Sequence, residues 1–200
     1  MKLKKSLGQN FLKDLDVLST IVDNGEILYN DTILEIGPGS GNLTEEIIKK
    51  NPKEVIVIEK DNNLSKILNQ KYGIKIKIIN KDILKCFDDF NDYKKIIVFG
   101  NLPYNISTKI LISFIKLENL NNMFKRFVFV FQKEVADRIV AEVNTKNYGR
   151  LSILTYWKME VRKIIDIEPE YFYPKPKVWS SLVVLTPKLK IESLNKVENL

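Results

Sequence analysis

The chain has 200 residues, 44% of them apolar and 28% charged, which suits one soluble globular domain with ample length to bury a core. One cysteine, Cys86, and no histidine exclude a disulfide framework, a Cys/His zinc site and imidazole acid–base chemistry, and no metal is expected. The net charge of +7 is carried mostly by residues 101–200, which favours a polyanionic partner.

Residues 1–13, MKLKKSLGQNFLK, are basic, then polar, then apolar, without the apolar core of a signal peptide. Gly8-Gln9-Asn10-Phe11-Leu12 is too polar for a strand and reads as a segment folded over a ligand. Asp14 or Asp16 can cap a following helix whose Leu15, Leu18, Ile21 and Val22 share one face, and Asn24-Gly25 ends it.

Thr32–Ile36 reads as a strand running into Gly37-Pro38-Gly39-Ser40-Gly41, then a helix with Leu43, Ile47 and Ile48 inward. Glycines at such a turn take positive φ and let the backbone approach a ligand. The spacing is G-x-G-x-G, not the G-x-G-x-x-G of dinucleotide enzymes. Glu35 beside this turn suits a cationic ligand better than a pyrophosphate, so S-adenosyl-L-methionine fits better than NAD.

The second strand, Val55–Ile58, ends at Glu59. An acid there, about 20 residues past the glycines, is placed to accept ribose hydroxyls; the plain alternative is an exposed strand-end charge. The third strand, Ile74–Ile79, leads to Asp82-Ile83. Asp82 can accept from the adenine amino group of the cofactor with Ile83 beside the ring, or can simply form an Asx turn or cap.

The fourth strand, Ile96–Phe99, leads into Gly100-Asn101-Leu102-Pro103-Tyr104 and a helix over residues 108–117. Loops at the carboxyl ends of strands hold the chemistry of open α/β sheets. The Asn101 side-chain carbonyl and the Leu102 main-chain carbonyl can each accept an N–H of an exocyclic amine. Pro103 fixes φ and donates nothing, and Tyr104 offers a ring for stacking. The alternative is a strand-to-helix turn with a helix-starting proline.

Phe127–Phe131 reads as a fifth strand buried on both faces, followed by a helix over 132–144 with Val135, Ile139, Val140 and Val143 inward, and another over 148–159. Lys163–Ile167 and Ser181–Leu185 read as the last two strands. Between them, residues 169–178 interleave prolines, aromatics and lysines, a pattern for single-stranded nucleic acid or for a loop covering the core.

Together GQNFL, EIGPGSGNLT, Glu59, Asp82, NLPYNIST, FQKEVADR, YGRLS and F-x-P-x-P-x-V-x-S occur in order over residues 6–187. The chain resembles the rRNA adenine N6-dimethyltransferases, most closely the bacterial small-subunit type. The resemblance implies a class I S-adenosylmethionine-dependent methyltransferase fold: Rossmann-like α/β, a mostly parallel seven-stranded sheet with helices on both faces and an antiparallel final strand. It implies an enzyme acting on small-subunit rRNA or a pre-assembled small subunit. The lack of a signal-peptide core and of any apolar run long enough to span a bilayer points to a cytoplasmic protein, or one of an organelle matrix, with no membrane partner; a monomer is the default expectation. Gln9, Asn10, Leu12, Glu35, Gly37, Gly39, Gly41, Glu59, Asp82, Ile83 and Asn101 are then cofactor-binding. Asn101, Leu102, Pro103 and Tyr104 hold the target adenine, which is sandwiched between Tyr104 and Phe172, the first residue of F-x-P-x-P. The expected layout is residues 1–13 over the cofactor, 14–186 catalytic, and 187–200 a tail or the start of the small helical domain into which family members usually continue. A large-subunit enzyme of the macrolide-resistance type and a non-catalytic assembly factor are the alternatives.

Overall fold

Apolar residues run almost unbroken through four segments of this chain, as strands buried on both faces require. The computed structural model describes residues 10–189. Asn10, Leu12 and all other expected site residues fall within that range except Gln9, which lies outside the described residues, as does most of each terminal segment.

The seven-stranded sheet contains β2 (Thr32–Ile36), β3 (Glu54–Ile58), β4 (Lys77–Ile79), β5 (Ile96–Asn101), β6 (Phe124–Gln132), β7 (Met159–Ile167) and β9 (Ser180–Pro187). Their order is β4-β3-β2-β5-β6-β9-β7. All are parallel except β9, which pairs antiparallel with both β6 and β7. The antiparallel final strand is as expected. A separate two-stranded ladder joins β1 (Phe11–Leu12) to β8 (Phe172–Tyr173), which ties the N-terminal segment to the proline-rich loop.

Period-2 alternation splits the apolar residues between two layers. Ile33, Val57, Ile97, Phe99 and Val128 pack with α1 (Leu15–Asp23), α2 (Asn42–Lys49) and α3 (Asn62–Tyr72). Leu34, Ile56, Val98, Phe127 and Phe129 pack on the other face with α4 (Ser107–Ile115), α5 (Leu120–Met123), α6 (Lys133–Ile139) and α7 (Arg150–Lys158). Phe114 of α4 is the hub of that second layer, with edge-on contacts to Phe87, Phe124 and Phe127 at 4.9–5.2 Å between ring centres.

Asp14, not Asp16, caps α1 by accepting from the Val17 N–H at 3.0 Å. Its buried stripe is Val17, Leu18, Ile21 and Val22, while Leu15 is 68% exposed. Both stripes satisfy a 3.6 period; the neighbouring sheet selects one. The third strand is shorter than its apolar alternation suggests. β4 is an edge strand with one neighbour, only Lys77–Ile79 pair, and Ile74 sits exposed in a 3-10 turn. The helix after β6 stops at Ile139, leaving Val143 exposed.

Candidate active site

Strand order reverses at β2, which lies between β3 and β5, and ligands of open α/β sheets bind at such a switch point. Glu35 pairs in register with Phe99, so the chain leaves β2 at Gly37 beside the point where β5 ends at Asn101. The Gly37 turn, Glu59, Asp82 and the Asn101 loop therefore converge on one cleft of ≈ 210 Å³. Asn10, Leu12, Glu35, Gly37, Gly39, Ile83, Leu102, Pro103 and Tyr104 line it as well.

Asn101 carries the most informative contact. Its Nδ2 donates to the Asn10 carbonyl at 2.6 Å, across 91 residues of sequence. The bond fixes the amide orientation and leaves Oδ1 as a free-standing acceptor. Pro103 accepts from the Ile106 N–H in the turn before α4, and Leu102 anchors the loop in the core at 1% exposure. The Tyr104 hydroxyl and Ser180 Oγ share a hydrogen bond at 2.6 Å, which ties the loop to the start of β9.

Glu59 is buried, and its carboxylate accepts from the Asp61 N–H at 2.8 Å and the Gly39 N–H at 3.3 Å. Burial raises its pKa against these two donors. Asp82 accepts from the Leu84 N–H and pairs with Lys60 at 2.9 Å. Partial burial opposes its ionisation, but the Lys60 ammonium and the Leu84 N–H outweigh that and hold it below the ordinary carboxylate range. The Asx-turn geometry is thus present, and Asp82 also faces the cleft.

Glu35 departs from the anion its residue type suggested. Burial pushes its carboxyl up to about 8, against a 2.5 Å hydrogen bond with Thr44 Oγ1. At neutral pH it is mainly protonated, so it supplies shape and hydrogen bonding to the cleft rather than the negative charge its residue type suggested.

Gly37 has φ +65°, and a Cβ there would meet nothing within 4 Å, so bare backbone faces open space. Gly39 is different: a Cβ would lie 2.4 Å from the Phe11 ring, which covers it. Gly41 does not line the cleft. It starts α2 at φ +83° against Tyr72, whose hydroxyl donates to its carbonyl at 2.6 Å, so its glycine serves helix packing. Phe172 is not brought to the cleft either. Alternation along β8 turns it inward at 2% exposure, while Tyr173 points out at 58%. Among the described residues the aromatic side chains lining the cleft are Tyr104 and Phe11, and Phe172 is not one of them.

Acceptors spaced around apolar walls (Ile36, Ile58, Ile83, Leu102) and open backbone at Gly37 fit a flat nucleoside with a small polar tail, as in S-adenosylmethionine. The family model for ribosomal RNA adenine dimethylase matches residues 1–199. The chain belongs to that family. The ribosomal RNA small subunit methyltransferase A of Pelagibacter ubique is 54% identical over all 200 residues, which span 76% of its length. A dimethyladenosine transferase from Plasmodium falciparum is 32% identical with a TM-score of 0.79, over 89% of this chain and 63% of that one. The 23S rRNA methyltransferase ErmE, at 24% identity over 94% of this chain and 75% of that one, has a TM-score of 0.81 and shares the fold. As a ribosomal RNA adenine dimethylase the chain is a methyltransferase that uses S-adenosylmethionine and acts on ribosomal RNA.

Several contributors to the dimethylase cleft were not legible as such in the sequence. Asn42 Nδ2 donates to the Leu12 carbonyl at 2.7 Å, and Asn80 Nδ2 to the Glu59 carbonyl at 2.6 Å. Asn42 follows the glycine turn directly, the one local signal for it; nothing local marks Thr44, Asn80 or Ser180. Among the described residues, no group of three or more His, Cys, Asp and Glu side chains forms a metal-binding cluster, and no helix is long and apolar enough to cross a membrane.

Proposed function

We propose that this chain dimethylates N6 of adenosines in small-subunit rRNA, acting as a monomer in the cytoplasm on RNA within an assembling small subunit. The observation that supports the site reading is the Asn101–Asn10 hydrogen bond, which engages Nδ2 and leaves Oδ1 as the acceptor of a residue that lines the cleft together with Leu102.

S-adenosylmethionine supplies an electrophilic sulfonium methyl. Gly37 would give backbone room for its amino-acid end, Glu59 would accept from its ribose, and Asp82 with Ile83 would border its adenine. The target adenine leaves the RNA stack and lies against Tyr104. Asn101 Oδ1 and the Leu102 carbonyl accept the two N6 hydrogens. That turns the nitrogen lone pair out of conjugation with the ring and toward the methyl donor. The residues act by positioning and by fixed dipoles, and the amine loses its proton after attack, so no side-chain base is required.

The test is methyl transfer from labelled S-adenosylmethionine to small subunits lacking the modification, with naked RNA in parallel and the product mapped by mass. Two methyls on N6 of adenosines in the small-subunit rRNA are the expected result. Labelling confined to large-subunit rRNA would overturn the substrate assignment.

A further inference from the structure

A second hollow of ≈ 470 Å³ opens at the same carboxyl rim of the sheet, outside the cofactor cleft. Its lining includes Trp179 and Val178, 45% and 44% exposed, with Gln132, Asn147, Lys133 and Lys177. The half-open indole, beside a second exposed apolar side chain, offers a flat face on which a base can stack.

The backbone holds this wall firmly. The Lys133 N–H donates to the Trp179 carbonyl at 2.9 Å, where β6 turns into α6. Gln132 pairs in register with Ser180. Ser180 is also the residue whose hydroxyl bonds Tyr104 at 2.6 Å. Trp179 is therefore one residue from the contact that positions the adenine-facing ring, and the two hollows are neighbours on one rim.

The chemistry of the hollow suits a nucleobase more than a phosphate at its floor. Lys133 is paired with Asp166, and Lys163 takes Asp137 at 2.8 Å and Asp166 at 3.1 Å, so these charges are already matched. Glu134 keeps the floor unfavourable for an anion. Lys177 is exposed and has no acidic partner among the described residues, which leaves it for a backbone phosphate at the rim. The side-chain amides of Gln132 and Asn147 have no hydrogen-bond partner among the described residues and present both donors and acceptors to a base edge.

We propose that this hollow is a nucleotide subsite: the base next to the target adenosine in the RNA strand stacks on Trp179, with its edge toward Gln132 and Asn147 and its phosphate at Lys177. The assignment rests on the rRNA-methylation reading above and adds a strand-gripping residue to it. Stacking on an indole tolerates any base, so Trp179 contributes affinity and register rather than sequence choice.

The experiment uses the full chain and a short single-stranded RNA carrying the target adenosine. Trp179 is the reporter in a Trp157→Phe background, which removes the other indole. The intact oligonucleotide is expected to quench Trp179 emission, and an otherwise identical one, abasic at the neighbouring position, to leave it unquenched. Trp179→Ala should raise KM for RNA by roughly 5- to 150-fold with kcat little changed, the range expected for one lost base stack. Trp179→Phe, which keeps a ring, should restore most of the affinity. Unchanged emission at RNA concentrations that support methyl transfer, with an unaltered KM for Trp179→Ala, would overturn the subsite and leave the methylation reading standing. If the wild-type chain methylates no rRNA, that reading falls, and the quenching decides the subsite by its presence or absence.

Discussion

Replacing Asn101 by alanine removes two separate contacts, and the structure tells them apart. The Nδ2 hydrogen bond to the Asn10 carbonyl is short but only partly buried, so its loss should cost about 1 kcal/mol of stability. For a chain of this size that lowers Tm by roughly 2–4 °C. The Oδ1 acceptor acts only when the amine is in place, and losing one such preorganised dipole should slow the chemical step by about 10²–10³-fold. The effect on rate therefore far exceeds the effect on folding. Single-turnover transfer at saturating cofactor and RNA reads the first, and thermal unfolding the second. Asn101→Asp separates them further. It keeps one acceptor but sets a carboxylate oxygen against the Asn10 carbonyl, so the segment around β1 should lose protection from amide exchange at Lys13, whose N–H donates to the Tyr171 carbonyl at 2.9 Å. If Asn101→Ala turns over within about threefold of wild type, no transition-state contact was lost and the role assigned to Asn101 is wrong.

Glu59→Ala should weaken S-adenosylmethionine binding by roughly 10- to 100-fold, as loss of a charged acceptor does, measured by calorimetry; unchanged affinity would remove Glu59 from the site. Glu35 predicts a pH dependence. Its folded pKa of about 8 lies above its ordinary value of 4.5, so its contribution to stability is fully present below the ordinary value and is lost as pH rises through about 8. Glu35→Gln has no such proton to release, so its urea midpoint relative to wild type should climb from pH 5 to pH 8; parallel curves would refute the assignment. Phe114→Ala empties the hub of the ring cluster and should cost about 3–5 kcal/mol in denaturant unfolding, and a loss below about 1 kcal/mol would mean the layer collapses around the gap.

Local chemistry in the sequence determined much of this protein. Thr32–Ile36 and its glycine turn, the strand ending at Glu59 and the strand ending at Asn101 were readable because apolar runs, glycines and strand-end polar residues are statements about a few adjacent positions. Their succession as β-turn-α units implied a parallel sheet, and that in turn placed Gly37, Glu59, Asp82 and Asn101 at one edge. The tertiary structure decided what depends on partners distant in sequence. Leu15 and Val17 both satisfy the helical period, and only the packed sheet buries Val17 rather than Leu15. A glycine in a G-x-G-x-G turn does not reveal whether it meets ligand or protein; Gly37 faces the cleft and Gly41 faces Tyr72. Glu35 has the residue type of an anion, and burial makes it mainly neutral. Phe172 belongs to an aromatic-rich loop, and pairing with Leu12 turns its ring into the core. The bond from Asn101 to Asn10 spans 91 residues, and no local pattern encodes it. Residue type and spacing fix which chemistry is available; burial, register and long-range hydrogen bonds fix which atoms are free to perform it.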